Sequence, residues 1–139
     1  MSAAKDFARG ISSLDPVFEF LAAQLAPHDL DEKTALGINL AVEEIFVNMV
    51  EHNTGTDAAV SIEIDFPDGQ IRIRLTDHDV EPFDPDTVAP VDVTLPVEQR
   101  RPGGLGLHLV KSFVDKLSYE YENREMRVTL IKRLEPIRA

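Results

Sequence analysis

The sequence predicts an α+β two-layer sandwich, with helices on one face of a mostly antiparallel, mixed sheet. Three observations carry that prediction. Two segments near the amino terminus repeat apolar residues at helical spacing. Two shorter segments, residues 60–66 and 71–75, alternate apolar and polar residues around a Pro-Asp-Gly turn. A third helical pattern and a closing pair of strands then follow a long proline-punctuated stretch. The order helix, helix, two strands, helix, two strands suits helices that cover one face of a sheet.

Taken in order, residues 5–11 read as a short leading strand. Ser12 and Ser13 precede LDPVFEFLAAQL, in which Val17, Phe18, Leu21 and Leu25 fall at helical spacing and Pro27 ends the run. A second helix opens near Asp29 or Asp31 and reaches Asn53, with Thr54-Gly55 as its stop. Val60, Ile62, Ile64 and Phe66 alternate with Ser61, Glu63 and Asp65 in a half-buried strand. Pro67 to Gly69 turn the chain, and Ile71, Ile73 and Leu75 alternate with Arg72 and Arg74 to complete a hairpin.

Over residues 80–104 no period holds, and Pro82, Pro85, Pro90, Pro96 and Pro102 interrupt the chain. A segment of that length without structure of its own is commonly a functional lid. A helix is predicted over residues 105–116, with Leu109, Val110, Phe113, Val114 and Leu117 as its stripe. LSYEYE and MRVTLIKRL close the chain as a hairpin that turns at residues 123–125.

The chain of 139 residues is one domain's worth. Its formal net charge of -11 lacks the basic footprint of nucleic-acid binding. No apolar run approaches the roughly 20 residues that span a bilayer, and MSAAKDFARG has no apolar stretch of signal-peptide type. Cys is absent, which removes disulfides and thiolate metal sites and suits a cytoplasmic protein. The expectation is therefore a cytoplasmic domain that binds neither nucleic acid nor membrane.

Chemistry concentrates in three places. On the second helix, TALGINLAVEEIFVNMVEHN, apolar residues cover two broad sectors. A narrow stripe of Gly37, Ala41, Glu44, Asn48, Glu51 and His52 lies between them. Two readings of this stripe compete: a solvated helix face, or a polar cavity in which Gly37 and Ala41 leave room beside the Glu44 carboxylate. The helix carries no Lys or Arg after Lys33, unlike a typical solvated face. A carboxylate and an amide carbonyl one turn apart also suit a hard cation that keeps water and phosphate ligands.

Asp77 continues the parity of Ile71, Ile73 and Leu75, so its carboxylate points toward the core, where it needs a partner; the competing reading ends the strand at Thr76 and leaves a solvated turn Asp. Gly103, Gly104 and Gly106, after Arg100 and Arg101, open the third helix. They form either a flexible joint or a set of backbone N–H groups able to receive phosphate oxygens.

Together these pieces are more specific than any one of them. Glu-x-x-x-Asn on a helix, an Asp ending a hairpin strand, a long lid, and Gly-x-Gly opening a helix resemble the GHKL (histidine-kinase-like) ATPase superfamily. Within it, AVEEIFVNMVEH, PFDP and GGLGLHLVKSFVDKLSYEYENREMRVTLIKRL resemble the RsbW-type anti-sigma factor serine kinases, over residues 7–134. The resemblance implies a single ATP-binding domain over residues 1–139, with a lid at about 80–104. It implies that Asn48 binds Mg2+ bridging the ATP phosphates and that Glu44 is the general base for a partner's serine hydroxyl. Asp77 would take the adenine amino group with Thr129 nearby. Gly104 and Gly106 would wrap the phosphates, with Arg101 neutralising charge.

The resemblance further implies a sigma factor and a STAS-type anti-anti-sigma protein as partners, and a homodimer. One departure stands out: the family pattern is Asp-x-Gly after the strand, whereas Asp77-His78-Asp79 puts an Asp where the glycine belongs. The stretch to Phe83 is also one residue longer. Asp79 adds bulk and charge near the expected base pocket, so weakened ATP binding is the expectation there. The alternative function is a GHKL-type binding module that regulates its partner without phosphoryl transfer.

Overall fold

The computed structural model describes residues 2–53, 55–81 and 104–134. The elements are β1 (Ser2–Phe7), α1 (Leu14–Leu25), α2 (Glu32–His52), β2 (Val60–Asp65), β3 (Gln70–His78), α3 (Gly104–Phe113), β4 (Lys116–Glu122) and β5 (Glu125–Arg133). Short 3-10 turns precede α1 and follow it, the second containing Pro27. Residues 82–103 of the expected lid, including Arg100, Arg101 and PFDP, lie outside the described residues. No helix among the described residues is long and apolar enough to cross a membrane.

The five strands form one sheet in the order β1-β2-β3-β5-β4, and all four described pairings are antiparallel. The sequence expectation is a mostly antiparallel, mixed sheet, and the crossover through α3 gives a parallel relation only indirectly. β3 and β4 do run parallel, but β5 lies between them and pairs antiparallel with both.

One face of this sheet is apolar. Ile62, Ile64, Ile71, Ile73, Leu75, Val128 and Leu130 point inward at alternate positions, as the pleat requires. They meet Val17 and Leu21 of α1, Ile38, Val42, Ile45, Phe46 and Met49 of α2, and Val110 of α3 in one core. The other face carries polar residues, including the Arg72–Asp65 and Arg74–Glu63 pairs across the β2–β3 hairpin.

Two boundaries differ from the sequence expectation, and one of its two alternatives for the start of α2 is selected. The first strand lies at residues 2–7, not 5–11, because its partners on β2 fix the register Ser2 to Asp65 through Phe7 to Val60. α2 starts after Asp31, whose carboxylate accepts the Thr34 N–H at 2.8 Å as an N-cap. α3 stops at Phe113, three residues early, because the Asp115 N–H donates to the Ile131 carbonyl and draws the chain into the sheet.

Candidate functional site

α2 is apolar around most of its circumference, but the core takes only the sector of Ile38, Val42, Ile45 and Met49, while Leu36 and Leu40 on the other side of the Glu44–Asn48 line are exposed. The stripe expected on it is not uniform. Glu51 and His52 are exposed, Glu44 is partly buried, and Asn48 is 8% exposed. Among the described residues no hydrogen-bond partner reaches Glu44 Oε1, a buried carboxylate oxygen. Burial, then the neighbouring charges of Glu43 and Glu51, raise the Glu44 carboxyl from 4.5 to about 7. A half-protonated carboxyl near neutrality is suited to exchanging a proton with a ligand.

Glu44 and Asn48 are one helical turn apart, so an orphaned carboxylate oxygen and an amide face the same side of α2. This donor set fits a hard cation that keeps most of its ligands from water and phosphate. The described residues hold no cluster of three or more His, Asp or Glu side chains able to bind a metal unaided.

At the carboxyl-terminal end of α2 the helix meets β3. Asp77 is completely buried on the core face, as strand parity predicts. Its Oδ2 accepts a 2.7 Å hydrogen bond from Asn53 Nδ2, and its Oδ1 pairs with Arg9 Nη2. Burial holds the Asp77 carboxyl above its ordinary value, and Arg9 and Asn53 offset that only in part.

Arg9 follows β1 and also donates to the carbonyls of Ala58 (3.2 Å), Met49 (3.1 Å) and Asn53 (3.2 Å). The last two belong to the final turn and C-cap of α2, where a cation is favoured by the helix dipole. Sequence reasoning missed both Arg9 and Asn53. The only signal was indirect: a core-facing carboxylate requires donors, and Arg9 is the sole arginine before Arg72.

The departure at Asp79 is absorbed locally. Asp79 adopts φ 56, the left-handed region that its family position normally gives to glycine, and Asp visits that region more readily than most residues. Its side chain is 67% exposed and turns outward to accept from Arg124 Nε at 3.0 Å. Arg124 also binds Glu81, while the Val80 N–H donates to the Arg124 carbonyl and Tyr121 Oη donates to the Val80 carbonyl. The bulk of Asp79 therefore lies on the β4–β5 turn and away from the buried Asp77 carboxylate.

Two expectations need correction. Thr129 does not lie beside Asp77. It pairs with Arg74 across β3 and β5, on the outer face, and its hydroxyl accepts from Arg74 Nε at 3.5 Å; Met126 is the residue opposite Asp77. Gly37 leaves no room beside Glu44, since the Phe113 ring fills the space and would lie 2.3 Å from an added Cβ. Gly104 and Gly106 fall in the first turn of α3, where backbone N–H groups lack intrahelical acceptors, and Arg101 lies outside the described residues.

Residues 8–132 match the histidine kinase-like ATPase domain. The chain is 27% identical over 90 residues to the serine-protein kinase RsbW of Halalkalibacterium halodurans, covering 62% of this chain and 55% of that protein. It is 29% identical over 91 residues to RsbW of Listeria monocytogenes, covering 61% and 57%. These matches span little more than half the length of the curated relatives. In fold it is similar to the RsbU and RsbW domains of Rv1364c from Mycobacterium tuberculosis. There the TM-score is 0.71 at 20% identity, over 99% of this chain and 34% of that one. It is also similar to a chain of the SiaB–SiaC complex from Pseudomonas aeruginosa, with TM-score 0.66 at 17% identity over 93% and 88%. The chain belongs to the histidine kinase-like ATPase domain family and is similar to its RsbW-type members.

Proposed function

We propose that this protein is an ATP-dependent serine protein kinase and anti-sigma factor of the cytoplasm. It sequesters a sigma factor and phosphorylates a STAS-type anti-anti-sigma partner. The observation that carries the reading is Glu44: a carboxyl near pH 7 with an orphaned oxygen, one turn from buried Asn48, on a helix that ends at Asp77. From Glu44 to Asn53 the helix rises roughly 13 Å, which suits a nucleotide laid along it.

In this reading Asp77 accepts the amino group of adenine. The N–H groups of the first turn of α3, with Gly104 and Gly106, receive phosphate oxygens, assisted by Arg101. Asn48 would hold Mg2+ through its side-chain oxygen, and that ion would neutralise charge on the triphosphate. Glu44 takes the proton of the partner's serine hydroxyl. As it does so, the serine oxygen bonds to the terminal phosphorus and the bond from phosphorus to the bridging oxygen breaks, releasing ADP. Leu36 and Leu40, exposed on α2 two turns and one turn before Glu44, give a protein substrate apolar surface beside that base. The homodimer belongs to the same proposal.

Thermal unfolding with Mg-ATP and with ATP plus chelator tests the reading. A ligand at 100 times its Kd adds about 2.7 kcal/mol. Wild type should be stabilised most by Mg-ATP, Asn48→Ala should lose the magnesium dependence, and Glu44→Ala should bind without transferring phosphate. Absence of any shift at millimolar nucleotide would leave a binding module without phosphoryl transfer.

A further inference from the structure

Arg9 lies outside every motif named above, yet it bonds to the carboxylate on which nucleotide recognition would turn. We infer that Arg9 is the positioning residue for Asp77, fixing the carboxylate as an oriented, ionised acceptor for the exocyclic amino group of a purine. The inference rests on the nucleotide-site reading of Asp77.

Arg9 makes four hydrogen bonds, three to backbone carbonyls in the last turn and cap of α2 and in the loop before β2. A ligand that pushed the guanidinium aside would forfeit all four, so Arg9 is wall rather than plug. The Asp77 oxygens each accept one donor, from Arg9 and Asn53. An ionised carboxylate offers about four lone-pair sites, so acceptor capacity remains for a ligand N–H.

The charge matters because Asp77 is fully buried. Without a cation against it, a carboxyl in that position takes up a proton and becomes a weaker acceptor. Of the described charged or titratable groups, Arg9 and the adjacent His78 are the ones that act on it; Asn53 is neutral. His78 is on the opposite face of β3, bound to Ser61 Oγ at 2.8 Å and near Glu125. Arg9 therefore supplies the contact charge.

The test compares Mg-ATP with the Mg complex of purine riboside triphosphate, which lacks the amino group, by calorimetric titration from pH 6 to 8.5. Wild type should prefer ATP at every pH. Arg9→Met should lose about tenfold of that preference at pH 6, the difference between a charge-assisted and a neutral hydrogen bond, and regain it as pH rises. Its affinity for the aminoless nucleotide should stay within about twofold, because a merely deformed pocket would lose both.

Arg9→Lys, which keeps the charge, should hold the preference across the range. An Arg9→Met protein with wild-type preference at all pH, or with tighter ATP binding, overturns the inference. Should Arg9→Met not fold, the Asp77 carboxyl carbon of wild type, followed by NMR, decides: titration with a midpoint above pH 6 overturns it. Wild type that binds neither nucleotide defeats the nucleotide-site reading, and this inference falls with it; ATP binding without Arg9 dependence defeats this inference alone.

Discussion

The Phe113 ring, near the carboxyl-terminal end of α3, occupies the space where a side chain on Gly37 of α2 would begin: an added Cβ would lie 2.3 Å from Cε1, 2.5 Å from Cζ and 2.8 Å from Cδ1. Lys132 fixes the ring from the sheet side, its Nζ 4.4 Å from the ring centroid and donating to the Phe113 carbonyl at 2.9 Å. Three elements thus meet at one glycine. That contact sets how closely α3 approaches the helix that carries Glu44 and Asn48.

Gly37→Ala therefore tests whether packing or propensity wins. Alanine in a helix gains about 1 kcal/mol over glycine. Overpacking against a pinned ring costs about 1–3 kcal/mol. The expected sum is a loss of about 1 kcal/mol in chemical denaturation, with part of it recovered when Phe113→Leu is added, as coupled neighbours show. A Gly37→Ala protein more stable than wild type would mean that the ring moves freely.

Glu44 gives stability a pH dependence of known sign. Its carboxyl stands at about 7 in the fold against 4.5 ordinarily, so the folded state binds the extra proton. The associated stability is fully present below about pH 4.5 and is lost as pH rises through 7. The whole difference corresponds to about 3 kcal/mol, and partial solvent access reduces it to about 1–2 kcal/mol. Glu44→Gln should match wild type at pH 4.5 and exceed it by that amount at pH 8. Denaturant midpoints at the two pH values provide the comparison, and equal gains at both would remove burial of the charge as the cause.

Asp79→Gly should change little. Glycine relieves a left-handed backbone that costs other residues about 1–2 kcal/mol, less for Asp. It also gives up an exposed ion pair worth about 0–1 kcal/mol and adds unfolded-chain entropy of about 0.4–1 kcal/mol. Stability is expected within about 1 kcal/mol of wild type, and ATP affinity within about threefold. A tenfold tightening of ATP binding would show that the Asp79 carboxylate obstructs the base after all.

How much of this was legible in the sequence depended on the range of the contacts involved. The burial of Asp77 follows from the alternation that begins at Ile71, a local property of one strand. The Glu44 and Asn48 pair follows from helical spacing, and the fold class from the order of the periods. Arg9 was hidden because its pairing with Asp77 spans 68 positions and no local pattern marks it. The end of α3 was misjudged for the same reason, since β5 captures Asp115. Apolar periodicity at Gly37 looked like spare room because a glycine does not announce the ring that fills it.

Thr129 is the instructive failure, since its own strand contained the answer. Met126, Val128 and Leu130 face the core at alternate positions, which puts Thr129, itself 8% exposed, out of phase with them and opposite Arg74 on the outer face. Family resemblance, not strand pattern, placed it near the base. Thr129→Val should therefore leave ATP affinity unchanged within about twofold, while removing from a buried position the acceptor of the long bond from Arg74 Nε at a cost of about 1 kcal/mol. Met126→Ser changes the side chain that does stand opposite Asp77, at a core position 5% exposed. It should destabilise by about 2–4 kcal/mol and alter nucleotide affinity where Thr129→Val does not. Measured side by side by titration and denaturation, the pair discriminates cleanly: a Thr129→Val protein that loses ATP while Met126→Ser keeps it would put the base on the opposite face of the sheet.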